Sequence, residues 1–158
     1  MDANFNADEI FEMAEEIERQ GARFYRKVAE RLKDAAQKDL LLNLAAMEDN
    51  HEKTFSSMRK DFSDQEFDPN VFDPEGLAAS YLRAIAKGKV FNVNNSSKIL
   101  TGQETIGDIL NMAIGFEKDS IVFYIGIKEM VPDTFGKDKV DKIIEEEMRH
   151  IVMLTEEL

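Results

Sequence analysis

Apolar residues recur along most of the chain at intervals of three and four positions, the spacing of one face of an α-helix. Two tight turns and one long polar connection interrupt this pattern. The pattern therefore predicts four long helices, over about residues 7–34, 36–62, 103–131 and 137–157.

The long connection, about residues 63–102, differs from the helices in composition, because it contains proline, glycine and a polar run of Asn and Ser. Asp73 and Pro74 predict the start of a short helix that ends near Lys87, before Gly88. A connection of this length can cross from one end of a bundle to the other, which would make helices two and three parallel. We therefore predict one all-α domain over residues 1–158, a four-helix bundle with a long crossover.

Charge and composition exclude several classes of function. The chain has 32 acidic and 20 basic residues, a net charge of −12, which disfavours binding to nucleic acid or to anionic membranes. Cysteine is absent, which excludes disulfides, thiol nucleophiles and cysteine-based metal sites. We find neither a signal-peptide pattern nor an apolar run long enough to span a membrane, and we expect a cytoplasmic protein.

The predicted inward-facing stripes are apolar except near the middle, where each helix carries a glutamate. In helices two and four a histidine follows that glutamate three positions later. Burying an unpaired carboxylate is costly, and the stripes contain neither lysine nor arginine. Protons or two divalent cations could compensate four carboxylates, and carboxylate with imidazole suits iron, manganese or zinc. The candidate metal ligands are Glu18, Glu48, His51, Glu117, Glu147 and His150.

The candidate ligands recur at a constant offset of 99 positions. Within each half, 30 positions separate the two glutamates. This regularity indicates an internal duplication, and a bundle with pseudo-twofold symmetry would bring the two halves of the site face to face. The matching pairs are Glu18 with Glu117, Glu48 with Glu147, and His51 with His150.

This set of residues resembles the di-iron carboxylate signature of the ferritin-like superfamily, in which two helices each give a Glu and the other two each give Glu-x-x-His. The chain is most similar to rubrerythrin-like proteins. The resemblance implies a ferritin-like bundle with two bound iron ions, manganese or zinc being alternatives. It also implies that Glu48 and Glu147 bridge the metals and that the other four residues are terminal ligands. Which histidine shares a metal with which terminal glutamate stays open.

Two departures from rubrerythrins affect the interpretation. Rubrerythrins add a rubredoxin-like domain with four cysteines that delivers electrons, so this cysteine-free chain would need an external electron-donor protein. Rubrerythrins also have glutamates where this chain has Ser120 and His150. The resulting symmetric ligand set is more similar to that of bacterioferritin.

Residues beside the candidate ligands carry further expectations. Tyr25 and Tyr124 each lie seven positions after a terminal glutamate, and we expect their hydroxyls to hydrogen-bond a ligand carboxylate. The alternatives are a redox-active phenol and a core tyrosine whose hydroxyl is satisfied locally. Glu15, Glu145 and Glu146 are predicted to lie on solvent-exposed faces.

The leading functional interpretation is a non-haem di-iron oxidoreductase that reduces hydrogen peroxide or O₂. We expect a homodimer that receives electrons from another protein. One alternative is a ferroxidase or iron-handling protein, for which Fe(II) is the substrate. The other is a structural or interaction bundle, stabilised by metal and without catalysis.

Overall fold

The structure is a computed structural model that describes residues 7–63, 73–86 and 100–158. The four predicted long helices are present, and the short helix lies between helices two and three. Its predicted end at Lys87 lies outside the described residues. A 3₁₀ turn, Asp133–Phe135, precedes the last helix. The helices are α1 (Ala7–Arg31), α2 (Ala35–Ser63), α3 (Leu77–Ala84), α4 (Ile106–Met130) and α5 (Lys137–Glu156).

The connection between α1 and α2 is short because one side chain begins the second helix. The backbone N–H of Gln37 donates a hydrogen bond of 2.8 Å to the Asp34 carboxylate. Asp34 therefore satisfies a free N–H at the start of α2. Asp34 therefore is not part of α1, which ends at Arg31, three residues before the predicted end.

Helix α4 begins at Ile106, three residues after the predicted start near residue 103. Thr101 and Glu104 have the spacing of a helix cap and favour the earlier start, but the Glu104 carboxylate accepts hydrogen bonds within a turn that precedes the helix. The helix is capped instead by Thr105 and Asp108. Each of these two side chains accepts a hydrogen bond from the backbone N–H of the other, at 3.1 Å and 3.0 Å, which is a capping box.

Two apolar clusters fill the two ends of the bundle. The carboxyl-terminal halves of α2 and α4 contribute to the same cluster, so these helices run parallel, as the long crossover predicts. The first cluster includes Phe11, Phe55, Ile127 and Ile143. The second includes Val28, Leu44, Leu110 and Leu154.

Helix α3 packs against α4 at a glycine. A Cβ atom at Gly126 would lie 2.7 Å from a methyl carbon of Leu82 and 2.8 Å from the ring of Tyr81. The Tyr81 hydroxyl donates a hydrogen bond of 2.6 Å to the carbonyl of Val122. Because residue 126 is a glycine without a side chain, the crossover helix can approach α4 closely.

The predicted inward stripes are confirmed by burial, because the glutamates and histidines at their middle are buried and so are most of the apolar positions beside them. Between the two apolar clusters, the stripes form a layer of acidic, histidine and tyrosine side chains. None of the described helices is long and apolar enough to cross a membrane.

Candidate metal centre

All six candidate ligands meet in the layer between the apolar clusters. The four long helices contribute to it, with one Glu each from α1 and α4 and a Glu-x-x-His pair each from α2 and α5. None of the six residues is more than 4% exposed. Four carboxylates and two imidazoles are thus withdrawn from water together, so their charge must be balanced inside the protein.

The ligand atoms form two groups of four, and within each group they lie within 4.8 Å of one another. The groups overlap, because Glu48 and Glu147 belong to both. This arrangement pairs Glu18 with His51 and pairs the other terminal glutamate with the other histidine, an assignment that the sequence leaves open. The groups are Glu18, Glu48, His51 and Glu147, and Glu48, Glu117, Glu147 and His150.

Several atoms of the centre lack hydrogen-bond partners among the described residues. They are one carboxylate oxygen each of Glu18, Glu48 and Glu147, and both ring nitrogens of His150. A buried polar atom without a partner costs about 1–3 kcal/mol, and more when it is charged. Oxygen and imidazole nitrogen are the donor atoms that iron, manganese and zinc accept. The residues present therefore fit a pair of metal ions.

Both histidines turn the Nδ1 atom toward the carboxylates. His51 Nδ1 lies 3.1 Å from Glu147 Oε1 and 3.4 Å from Glu18 Oε2. His150 Nδ1 lies 2.9 Å from Glu147 Oε2 and 3.2 Å from Glu48 Oε1, close to both oxygens but aligned for a hydrogen bond with neither. The two rings are nearly parallel, at 19°, with centroids 5.8 Å apart. The two oxygens of Glu147 thus face one histidine each.

The carboxylates at the middle of the centre resist ionisation in the absence of metal. Burial raises the pKa of Glu48 well above its usual range, and the charges of Glu18 and Glu117 raise this pKa further. Burial likewise raises the pKa of Glu147, to which the charges of Glu48 and Glu117 add. The centre without metal therefore holds protons where divalent cations would otherwise balance the charge.

The histidines respond to the same carboxylates in the opposite sense. Burial lowers the pKa of His51, but its contacts with the carboxylates of Glu147 and Glu18 outweigh burial and raise it to about 11. Burial also lowers the pKa of His150, and the carboxylates of Glu117 and Glu147 beside it raise it to about 12. The imidazoles thus carry protons that a metal ion must displace.

Two buried tyrosines contact the centre, and each forms a hydrogen bond with a glutamate of the other half of the repeat. The hydroxyl of Tyr25 in α1 donates a hydrogen bond to Glu117 in α4. The hydroxyl of Tyr124 in α4 donates a hydrogen bond to Glu18 in α1. Each tyrosine therefore holds the terminal carboxylate of the other half of the repeat.

The prediction that Glu15 and Glu146 are exposed is wrong. Glu15 is 6% exposed, because Arg59 of α2 covers it and forms an ion pair of 2.9 Å with it. Glu146 is half-buried, and its carboxylate lies 2.7 Å from Nε2 of His51. Both contacts join different helices, so no local pattern in the sequence indicates them. Glu145, in contrast, is exposed as predicted.

The comparisons with known proteins agree with this fold. The profile of the rubrerythrin family matches residues 9–158. A crystal structure of a proposed ferritin-like diiron-carboxylate protein from Thermotoga maritima superposes with a TM-score of 0.70 at 27% sequence identity, and the match covers 97% of this chain and 94% of that one. A comparison with curated proteins gives no match. Since the family profile spans nearly the whole sequence, the chain belongs to the rubrerythrin family.

Proposed function

We propose that this chain is a di-iron oxidoreductase that reduces hydrogen peroxide or O₂. The observation that carries the proposal is the pair of overlapping four-ligand groups, which share Glu48 and Glu147. Membership of the rubrerythrin family and similarity to a proposed diiron-carboxylate protein support iron as the metal.

In this proposal the protein supplies two metal sites with the same types of ligand, and both sites share Glu48 and Glu147. Glu18 and His51 complete one position, and Glu117 and His150 complete the other. Ser120, where rubrerythrins have a further glutamate, donates its hydroxyl to the carbonyl of Phe116 in its own helix at 2.9 Å. The six side chains are therefore the proposed ligand set.

Two ferrous ions, when bound, supply the two electrons that reduce one O–O bond. Hydrogen peroxide takes up these two electrons and two protons and gives two molecules of water. The protein must hold the ligands in place while the charge of the centre changes. Tyr25 and Tyr124 contribute to this by donating hydrogen bonds to the terminal carboxylates on the opposite helix. A separate electron-donor protein would supply the two electrons that return such a centre to its starting state.

A cleft between α2 and α5 offers small molecules a route to the edge of the centre. It has a volume of about 530 Å³, and His51 and Glu146 form part of its wall. Peroxide and O₂ are small enough to enter such a cleft. The burial of the six ligands favours metals that stay bound as a cofactor over iron that passes through as a substrate.

Stopped-flow oxidation of the ferrous protein tests the proposal. Metal-free protein is loaded anaerobically with two Fe(II) per chain and mixed with hydrogen peroxide or with O₂. We expect one peroxide per chain to oxidise both ions, the ferric ions to stay bound, and a chemical reductant to restore the starting state. Glu145→Gln, at an exposed position on the same helix as Glu147, should behave as wild type.

The same mixing experiment, repeated with an excess of Fe(II) over the two ions per chain, separates the alternatives. Rapid oxidation of many more than two Fe(II) per chain, with release of the product, would favour a ferroxidase and contradict the proposal. Oxidation no faster than that of Fe(II) in buffer would favour a structural role for the metal.

The homodimer expected from the sequence stays a prediction.

A further inference from the structure

The environment of the two histidines differs although the sequence repeat relates them. His51 directs Nδ1 at the centre, and its other nitrogen, Nε2, lies 2.7 Å from Oε2 of Glu146. Glu146 belongs to α5, whereas His51 belongs to α2. The ring of His51 is thus held at both nitrogens, with carboxylates of the centre on one side and Glu146 on the other.

His150 lacks the equivalent support. Its Nδ1 faces the carboxylates of the centre, but its Nε2 has no hydrogen-bond partner in the described part of the chain. The repeat offset explains the difference, because the position that matches Glu146 is occupied by Met47. A methionine carries no carboxylate. The two halves of the repeat therefore share the candidate ligands, but only His51 has a carboxylate at Nε2.

A carboxylate on the second nitrogen of a ligand histidine has a known physical effect. It fixes the proton on that nitrogen, orients the ring and makes the metal-facing nitrogen a stronger donor. Removing such a partner weakens metal binding by about 10- to 100-fold. Because this effect acts through one histidine, we expect it to change the affinity of the metal that this histidine binds, whereas a change in overall charge acts on both metals of a close pair.

We propose that Glu146 is a positioning residue for His51 and makes the metal position of Glu18 and His51 the tighter of the two. The two-metal centre thus has unequal affinities and fills in a defined order, beginning at this position. This inference rests on the proposed function only in requiring two bound metals. Glu146 is a suitable residue to change, since its side chain is 22% exposed on the wall of the α2–α5 cleft.

The test is an anaerobic titration of metal-free protein with Co(II) or Fe(II) against a competing chelator, which resolves the two binding steps. Glu146→Met copies the residue at the matching position of the repeat. We expect it to weaken the tighter step by about 10- to 100-fold and to leave the weaker step within about threefold, so that the steps become alike. Glu146→Gln should fall between wild type and Glu146→Met, because its amide oxygen still accepts a hydrogen bond from Nε2.

Two controls separate positioning from charge and from folding. Glu145→Gln removes one negative charge from the same helix at an exposed position and should leave both steps unchanged. Urea unfolding of each metal-free variant measures any structural damage, and a partial recovery in Glu146→Gln cannot come from charge, which both variants lose.

Three results would overturn the inference. These are equal weakening of both steps in Glu146→Met, no weakening of either step, and identical affinities in Glu146→Gln and Glu146→Met. Should Glu146→Met fail to fold, the comparison of Glu146→Gln with wild type decides the point. Fewer than two metals in the wild-type protein would instead refute the two-metal centre itself.

Discussion

The hydroxyl of Tyr25 in α1 donates a hydrogen bond to the carboxylate of Glu117 in α4. The matching pair of the repeat, Tyr124 and Glu18, makes the same hydrogen bond in the opposite direction across the bundle. The two hydrogen bonds tie α1 to α4 on both sides of the centre. The positions of both terminal carboxylates therefore depend on how α1 packs against α4.

Replacing Tyr25 with phenylalanine should destabilise the metal-free protein by about 1.5–3 kcal/mol, the usual contribution of a hydrogen bond to a charged group. The reason is that the pKa of Glu117 lies below its usual value, as its hydrogen bonds outweigh burial, so a buried charged carboxylate would lose a donor. Urea denaturation of the metal-free protein measures the change. Tyr81→Phe is the matched control, because that hydroxyl donates to a neutral backbone carbonyl, and it should cost about 1 kcal/mol. An equal loss in the two variants would contradict this explanation.

The stability of the metal-free protein should fall as the pH rises from about 5 to about 9. The pKa values of His51 and His150 are raised from 6.5 to about 11 and about 12. The stabilisation that comes from protonating these histidines is therefore complete below pH 6.5 and is lost as the pH rises toward the raised values. The raised pKa values of Glu48 and Glu147 act in the same direction from pH 4.5 upward. Urea denaturation at several pH values tests this prediction. An increase in the stability of the metal-free protein between pH 5 and pH 9 would contradict it.

Metal binding should show the opposite dependence on pH. The protons on the histidines and carboxylates must leave before the metals bind, so the affinity for metal should rise as the pH rises. Competition with a chelator of known pH dependence measures this change. An affinity that is constant between pH 6 and pH 8 would mean that the metals bind elsewhere.

Two glycines of α4 should respond to alanine in opposite ways. Gly126→Ala should destabilise the protein by about 1–3 kcal/mol, since the added Cβ would overlap Leu82 and Tyr81. Gly115→Ala should stabilise it by about 0.5–1 kcal/mol, because nothing lies within 4 Å of its added Cβ and alanine favours the helix. Thermal or urea denaturation compares the two, and similar effects would contradict the described packing of α3 on α4.

Local periodicity was sufficient to predict the helices and the inward direction of the glutamates. An apolar stripe interrupted by one acidic residue at the same level in every helix can be seen without a structure, and the 99-residue offset supports it. The helix boundaries were less accurate, because several residues near a boundary can act as a cap. Thr101 and Thr105 both precede an acidic residue by three positions, and only the structure shows that Thr105 begins α4.

Contacts between helices could not be predicted in the same way. Glu15 and Arg59 lie on different helices, as do Glu146 and His51, and their pairing depends on the rotation of one helix against the other. A charged residue that flanks an apolar stripe has the same sequence signature whether it faces solvent or a neighbouring helix. The partner of Glu146 is therefore a product of tertiary packing.

The central claim is that the six buried side chains form one centre for two metal ions, with Glu147 as a bridge. The most direct measurement is an anaerobic Fe(II) titration of metal-free protein that counts the tightly bound ions per chain. We expect two ions in the wild-type protein and in the exposed-site control Glu145→Ala, and fewer than two in Glu147→Ala. Zero or one ion in the wild-type protein, or two ions retained in Glu147→Ala, would contradict the account.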